Sequence, residues 1–446
     1  MRRRLYRQAG PGDVSSEPPN ISRVTTLQEA QPAQARRWNL EAVRAGLNGA
    51  SRTRYSIYMY LASRVLYLVI ALVAMALIDT VGSHTALAHA HNWQGRPLDT
   101  SSLGTMMSNW DGKWYLLTTE TWYYHHVVAQ AGAYTTLGFM PLYPMLIWLV
   151  AHILPIGNLG AGIAISMICG GIATVLIGQL AEEWWGEEVA RRAIRFWCFF
   201  PGTIVFSMVY SEGLSLTLIA GTMLLLQRRR WLWAGVLAGF ATAIAPTDLS
   251  AVPMCAVAAL LELRRHGWRD RRARKALIAP VLSTLGAVGF GIYLWIWTGS
   301  PLSDYRAQHI EWSESSTPLA VPRVVLQVIH QLFVSGVGSH GPGGIDLNDV
   351  LALLGTAFLL FGLKLLWDHR SRVPATAWVW TICVSALALT SAKTPPNPRM
   401  LIVAFPVVLV IGKALSDRNF RRAMRYNLLV TIVASPITYV GMWLRP

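Results

Sequence analysis

The chain has 446 residues, 53% of them hydrophobic and 14% charged, with a mean hydropathy of +0.38. Soluble domains carry about 25% charged residues, so a soluble globular fold is excluded: most of this chain must be buried in something larger than its own core. The formal net charge of +16 does not point to nucleic acid, because the arginines fall between apolar runs instead of collecting on one soluble module.

Residues 1–54 are rich in Arg, Gln, Ala and Pro and contain no apolar stretch, so they read as a basic, largely disordered cytoplasmic arm and not as a cleavable signal. Within it, 38–52 has the pattern of a short surface helix on anionic lipid. Residues 55–446 read as one membrane domain. Apolar runs near the ~20 residues needed to cross a bilayer recur along it. Eleven spans are expected, at 56–79, 138–155, 160–181, 196–226, 231–245, 249–263, 276–297, 349–366, 374–392, 400–414 and 426–444. The fold class is therefore all-α, a polytopic transmembrane helical bundle.

Placing the N-terminus in the cytoplasm puts 28 of the 39 basic residues inside, in 1–54, 228–230, 264–275, 364–372 and 413–425. That asymmetry is the one expected of a multi-pass plasma (inner) membrane protein. Two long loops, 80–137 and 298–348, then face the periplasmic or extracellular side, and loops of that size are usually functional. The four cysteines lie inside apolar runs without metal or disulfide spacing.

The first outer loop carries SNWDGKWYLL (108–117). Asp111 sits there among Trp110, Trp114 and Tyr115, with Lys113 beside it. One reading is an interfacial aromatic belt with a solvated acid. The other is a general base that takes a proton from a sugar hydroxyl, with ring faces for a sugar or polyprenyl ligand. Glu212 in SMVYSEGL and Asp248 in the Pro246-Thr247-Asp248 break are acids inside expected spans, which marks them as candidates for function. The break reads as the tip of a hairpin over 231–263, with halves too short to cross. In the second loop, Arg306 and His309 are spaced to share a helical face, and Arg suits a phosphate; a solvated loop helix fits equally. Lys393 and Arg399 flank the Pro-rich turn of SAKTPPNPR (391–399), a platform for an anionic head group or a pair of interfacial snorkelling bases. No Gly-rich phosphate loop, zinc motif or Ser-His-Asp order is present, and no metal ligand set is assigned.

Taken in order, Trp110-Asp111 with Trp114-Tyr115, FMPLYP (139–144), FFPGTIVFSMVYSEGLSL (199–216), WLWAGVLAGFATAIAPTDL (231–249), TGSPLSDYRAQHIEW (298–312) and PNPRMLIVAFPVVLV (396–410) resemble the PIG-V family of GT-C glycosyltransferases, the family of GPI mannosyltransferase 2, in a bacterial, actinobacterial form. The resemblance covers about residues 56–440. It implies a GT-C membrane fold and a glycosyltransferase, most often an inverting mannosyltransferase, that uses a polyprenyl-phosphate sugar donor and a glycolipid or glycan acceptor. Asp111 takes the position of the catalytic base. Arg306, His309, Lys393 and Arg399 become candidates to hold the lipid phosphate. Trp110, Lys113, Trp114, Tyr115, Tyr143 and Glu212 become candidates to line the substrate site. The chain departs from the family at Ala245, where Arg is usual, and at Asp248, where Gly is usual. No cofactor is implied, membrane lipid is the expected environment, and nucleic acid is not a partner. The alternatives are a lipid-linked-sugar flippase and a polyprenyl-phosphate-arabinose-dependent transferase.

Overall fold

In a computed structural model of the chain, residues 30–81, 102–333, 346–393, 395–440 and 444–446 are described, with side chains from residue 51 to 77 in the first of these. The expected basic arm up to residue 29, the side chains of 38–50, and residues 82–101 and 334–345 of the two long loops lie outside them. The chain divides into two compact units, Met1–Ser51 and Arg52–Pro446. The first is described only as helix, from Ala30 onward. Everything that follows concerns the second.

The elements in order are α1 (Ala30–Val81), α2 (Leu103–Met107), α3 (Asp111–Thr121), α4 (Leu142–Ile153), α5 (Gly157–Trp185), α6 (Glu187–Cys198), α7 (Glu212–Gln227), α8 (Trp231–Ala241), α9 (Ala251–His266), α10 (Arg271–Arg274), α11 (Ile278–Ser283), α12 (Leu285–Thr298), α13 (Ser303–Ile310), α14 (Ala320–Phe333), α15 (Leu347–Asp368), α16 (Ala375–Thr390), α17 (Pro398–Val403), α18 (Phe405–Ala414) and α19 (Asp417–Val440). Among the described residues there is no β-strand, only one isolated bridge between Ser316 and Ser391. The fold is all-α, as the composition required.

Five helices among the described residues are long and apolar enough to cross a membrane: Ser51–Leu77, Gly157–Trp185, Pro246–His266, Arg271–Thr298 and Leu347–Asp368. A sixth span is made if the 3₁₀ turn Pro201–Ser207 and α7, bent at 106°, are taken together. Several other expected spans are shorter apolar helices (α4, α8, α16, α18), and a further one, α14, lies in the second long loop where none was expected. The Pro246 break is a 3₁₀ turn, Pro246–Ser250, that runs directly into α9, making 21 residues in all.

The outward faces are apolar: Leu72, Trp148, Ile168, Trp233, Val281, Ile296 and Val433 are all exposed. In water that pattern would be an aggregation surface; lipid is the solvent it fits. The interior follows the opposite rule, because each buried polar group needs a partner where no water is available. Arg64, in the first span, is 4% exposed and shows how. Its guanidinium donates to the Thr203 carbonyl at 2.7 Å and to Ser207 Oγ at 2.9 Å, and it lies over the rings of Tyr60, Tyr67 and Phe206. A cation deep in the bundle thereby ties α1 to the 3₁₀ turn ahead of α7.

Two glycines let the Pro-rich segment before α17 reach the bundle. A Cβ on Gly202 would collide with the Pro398 carbonyl, and one on Gly355 with the Pro396 carbonyl. At the far side of α3, buried Glu311 stitches the long loop to α13. Its carboxylate accepts the Val128 N–H at 2.6 Å, the Thr135 N–H at 3.1 Å and the Thr135 hydroxyl at 2.5 Å. Bonds to a charged acceptor are each worth more than neutral ones. Glu311→Ala should therefore cost about 3 kcal/mol, read as a lower melting temperature in detergent and new protease sensitivity within 122–137. An unchanged melting temperature would contradict this role.

Candidate functional site

Three helix starts meet at one point. Asp111 is the first residue of α3, Glu212 the first of α7, and Arg399 the second of α17. The order of residues explains each start. In α17, Asn397 is the N-cap, its side chain accepting the Met400 N–H at 2.9 Å, and Pro398 fills the first helical position, where its missing N–H costs nothing. In α3 and α7 an acid stands in the first turn, where the helix dipole favours negative charge. Arg399 has the opposite sign from the one its own helix start favours. The two acids offset that.

The α3 start is held under backbone strain. Trp110, its N-cap, has φ of 62°, a region in which non-glycine residues cost roughly 1–3 kcal/mol and persist only when their surroundings fix them. Here the fixing groups come from α19. The Trp110 indole N–H donates to the Thr438 carbonyl at 3.0 Å, and the Asn109 amide donates to the Tyr439 carbonyl at 2.7 Å. Trp110 is thus a buried anchor behind the site.

The charged groups are close-packed. Arg399 Nη1 donates to Asp111 Oδ2 at 2.6 Å, and Arg399 Nε lies 2.9 Å from Glu212 Oε1, an ion pair without hydrogen-bond alignment. The Arg399 guanidinium also lies over the Tyr210 ring, 5.2 Å from its centroid. The Asp111 side chain is 30% exposed, against 17% for Arg399 and 9% for Glu212. Glu212 is therefore the buried member of the group, Arg399 is half-buried, and Asp111 is the most exposed of the three. Glu212 Oε2 has no hydrogen-bond partner among the described residues.

Behind these three runs a hydroxyl network. The Tyr210 hydroxyl accepts the Asp111 N–H at 3.2 Å, and Tyr115 and Ser211 share a hydrogen bond at 2.8 Å. Burial, then the nearby Glu212 and Asp111 charges, push the Tyr115 phenol well above its ordinary pKa, so it stays a neutral hydroxyl. Tyr143 is fully buried, donating to the Gly162 carbonyl and bonding Ser166 Oγ at 2.7 Å; Ser166 in turn donates to the Tyr210 carbonyl. One turn into α7, Ser215 donates to Asp248 Oδ1 at 2.7 Å, and Asp248 is fully buried.

Trp114 and Tyr115 stand three and four residues after Asp111, on the same face of α3. Trp114 meets Trp312 edge-on at 5.1 Å and Tyr134 at 6.2 Å. Lys393 Nζ donates to the Trp312 carbonyl at 2.5 Å and lies over the Tyr134 ring. The Trp114 indole N–H is buried and has no hydrogen-bond partner among the described residues. An aromatic cluster with one cation thus adjoins the acid.

Of the expected residues, Asp111, Tyr115, Glu212 and Arg399 come together, Trp114 and Lys393 form the adjoining cluster, and Trp110 and Tyr143 lie behind. Lys113 is half-buried on α3, two residues from Asp111 and so not on its face. Arg306 and His309 are exposed on α13, and among the described residues no hydrogen bond or ion pair joins them to the Asp111 group; His309 bonds the Glu314 carbonyl. Sequence reading missed Tyr210, Ser211, Ser166 and Glu311. Tyr210, Ser211 and Glu311 lie inside quoted motifs, but in an apolar run a tyrosine reads as core. Among the described residues no group of three or more His, Cys, Asp or Glu side chains is placed to hold a metal ion.

Fold and site together define a multi-pass helical membrane protein with an acid–arginine–acid group at the meeting of three helix starts. No family model and no curated protein matches the chain. Among solved structures it is similar to ArnT from Cupriavidus metallidurans bound to undecaprenyl phosphate, at TM-score 0.46 and 14% identity, over 83% of this chain and 64% of that one. It is also similar to the oligosaccharyltransferase of Archaeoglobus fulgidus in the apo form, at TM-score 0.41 and 14% identity, over 84% of this chain and 55% of that one. The chain spans less than two thirds of the length of either, and so distant a likeness bears on no step of the chemistry.

Removing one member of a buried ion pair strands the other. Arg399→Gln should therefore destabilise the protein by about 3 kcal/mol. Glu212→Gln in the same chain should restore part of that loss, a coupling of more than about 1 kcal/mol in a double-mutant cycle of thermal unfolding. Additive effects would show that the two side chains do not hold each other.

Proposed function

We propose that the chain is a membrane glycosyltransferase that moves a sugar from a polyprenyl-phosphate donor to a lipid- or glycan-linked acceptor, with Asp111 as general base. The observation that carries this reading is the setting of Asp111. It is the more accessible carboxylate of the group, held in place by a half-buried guanidinium and flanked by the aromatic cluster of Trp114, Tyr134 and Trp312. A base for this chemistry needs such a position, held in place yet able to reach a hydroxyl.

In the reaction, an acceptor hydroxyl gives its proton to Asp111 while its oxygen attacks the anomeric carbon of the donor. The bond from that carbon to the phosphate oxygen breaks on the opposite face, so the configuration inverts. Polyprenyl phosphate leaves with the bonding electrons. Its developing charge needs a cation, and Arg399 lies within the group, with Lys393 beside the aromatic cluster. Aromatic faces suit the apolar side of a sugar or an isoprenoid. The order of motifs that resembles the PIG-V family supports mannose as the sugar, and the Arg distribution supports an active site on the periplasmic or extracellular face of the plasma membrane.

Asp111→Asn should lower sugar transfer in membranes by a factor of at least ~100, the range for a lost general base, with protein level and melting temperature unchanged. The measurement is product formation from a radiolabelled polyprenyl-phosphate mannose and a crude glycolipid acceptor. Transfer near the wild-type rate would refute the assignment.

A further inference from the structure

The charge balance of the group raises a question that naming a base does not answer. With all three ionised, Asp111, Glu212 and Arg399 sum to one negative charge. The same guanidinium faces the base at 2.6 Å and Glu212 at 2.9 Å. A cation already held by two carboxylates is a poor host for a phosphate.

Resting on the transferase reading above, we infer that Arg399 is handed from Asp111 to the leaving phosphate as the proton moves, with Glu212 as the positioning residue that keeps it seated throughout. The charges balance. Before transfer, Asp111 carries one negative charge and the donor phosphodiester carries one. Afterwards Asp111 holds the acceptor's proton and is neutral, and the phosphate monoester carries two. One negative charge has passed from Asp111 to the phosphate, and the guanidinium that paired with it at the start pairs with it at the end. Neutral Asp111 loses its hold on Nη1, whereas Glu212 keeps the contact at Nε and the Tyr210 ring holds the guanidinium plane. The exposures fit this division: the anchor is the buried acid and the releasing partner is the open one. The ordering consequence is direct. Before the acceptor's proton arrives, Asp111 competes with phosphate for Arg399, which restrains departure of the lipid phosphate and limits loss of the sugar to water.

The test uses the full chain in lipid nanodiscs and a short-chain polyprenyl phosphate carrying no sugar. Asp111→Asn has the shape of the protonated base, so it should bind this lipid about fivefold or more tightly than the wild type, the scale of one lost competing ion pair. Asp111→Asn combined with Arg399→Gln should show no gain over Arg399→Gln alone. Asp111→Ala, which lacks the carboxyl altogether, should shift affinity in the same direction as Asp111→Asn and guards against a folding effect of either change. Equal affinity in wild type and both Asp111 variants, or a gain that survives loss of Arg399, would overturn the hand-over. The assay contains no sugar and needs no turnover, so it separates the two claims. A protein that shows the Arg399-dependent gain but forms no product would sink the transferase reading alone.

Discussion

A guanidinium shared by two carboxylates, drawn from three helix starts distant in sequence, is the constraint on which the rest depends. Asp111, Glu212 and Arg399 are separated by up to 288 positions, yet each helix must begin where it does for the ions to meet. A buried ion pair is no guarantee of stability, since desolvation offsets much of the attraction. The group therefore reads more naturally as a cost accepted for the sake of the site, and the surrounding features support that. The Trp110 backbone is strained, two α19 carbonyls are spent on holding it, and Gly202 and Gly355 are required for α17 to approach.

The supporting layers are polar in a place where polarity is expensive. Tyr210, Tyr115, Ser211, Tyr143 and Ser166 form a run of hydroxyls and carbonyls inside apolar packing, nearly every member with a named partner. Such networks fix a single arrangement because any other leaves groups unsatisfied. Arg64 does the same further along the bundle with carbonyl, hydroxyl and ring partners. The result is a rigid frame around one outward-facing carboxylate.

Much of this could be read from the residues alone. Composition and the recurring apolar runs point to the all-α membrane class, and Asp111, Glu212 and Arg399 each stand out in their motifs by residue type alone. Their meeting was not legible, because nothing in 110–115, 207–214 or 391–399 states which helix starts converge; that depends on packing between segments hundreds of residues apart. Arg306 and His309 share an exposed face of α13, and spacing alone does not say what that face meets. The buried Glu311 was passed over because an acid beside Trp312 in a loop looks solvated until its three donors are seen. Helix lengths were the other weak point. The run 374–392 folds as the one 16-residue helix α16, shorter than a full crossing, and the backbone breaks 400–414 at Ala404 between α17 and α18.

The most direct test of the central claim is a structure of the protein with a polyprenyl phosphate bound. The account predicts the phosphate oxygens within about 3 Å of the Arg399 guanidinium, Glu212 still in contact with it, and Asp111 turned toward the space an acceptor would occupy. A phosphate bound elsewhere, with Arg399 still clasped to Asp111, would contradict it.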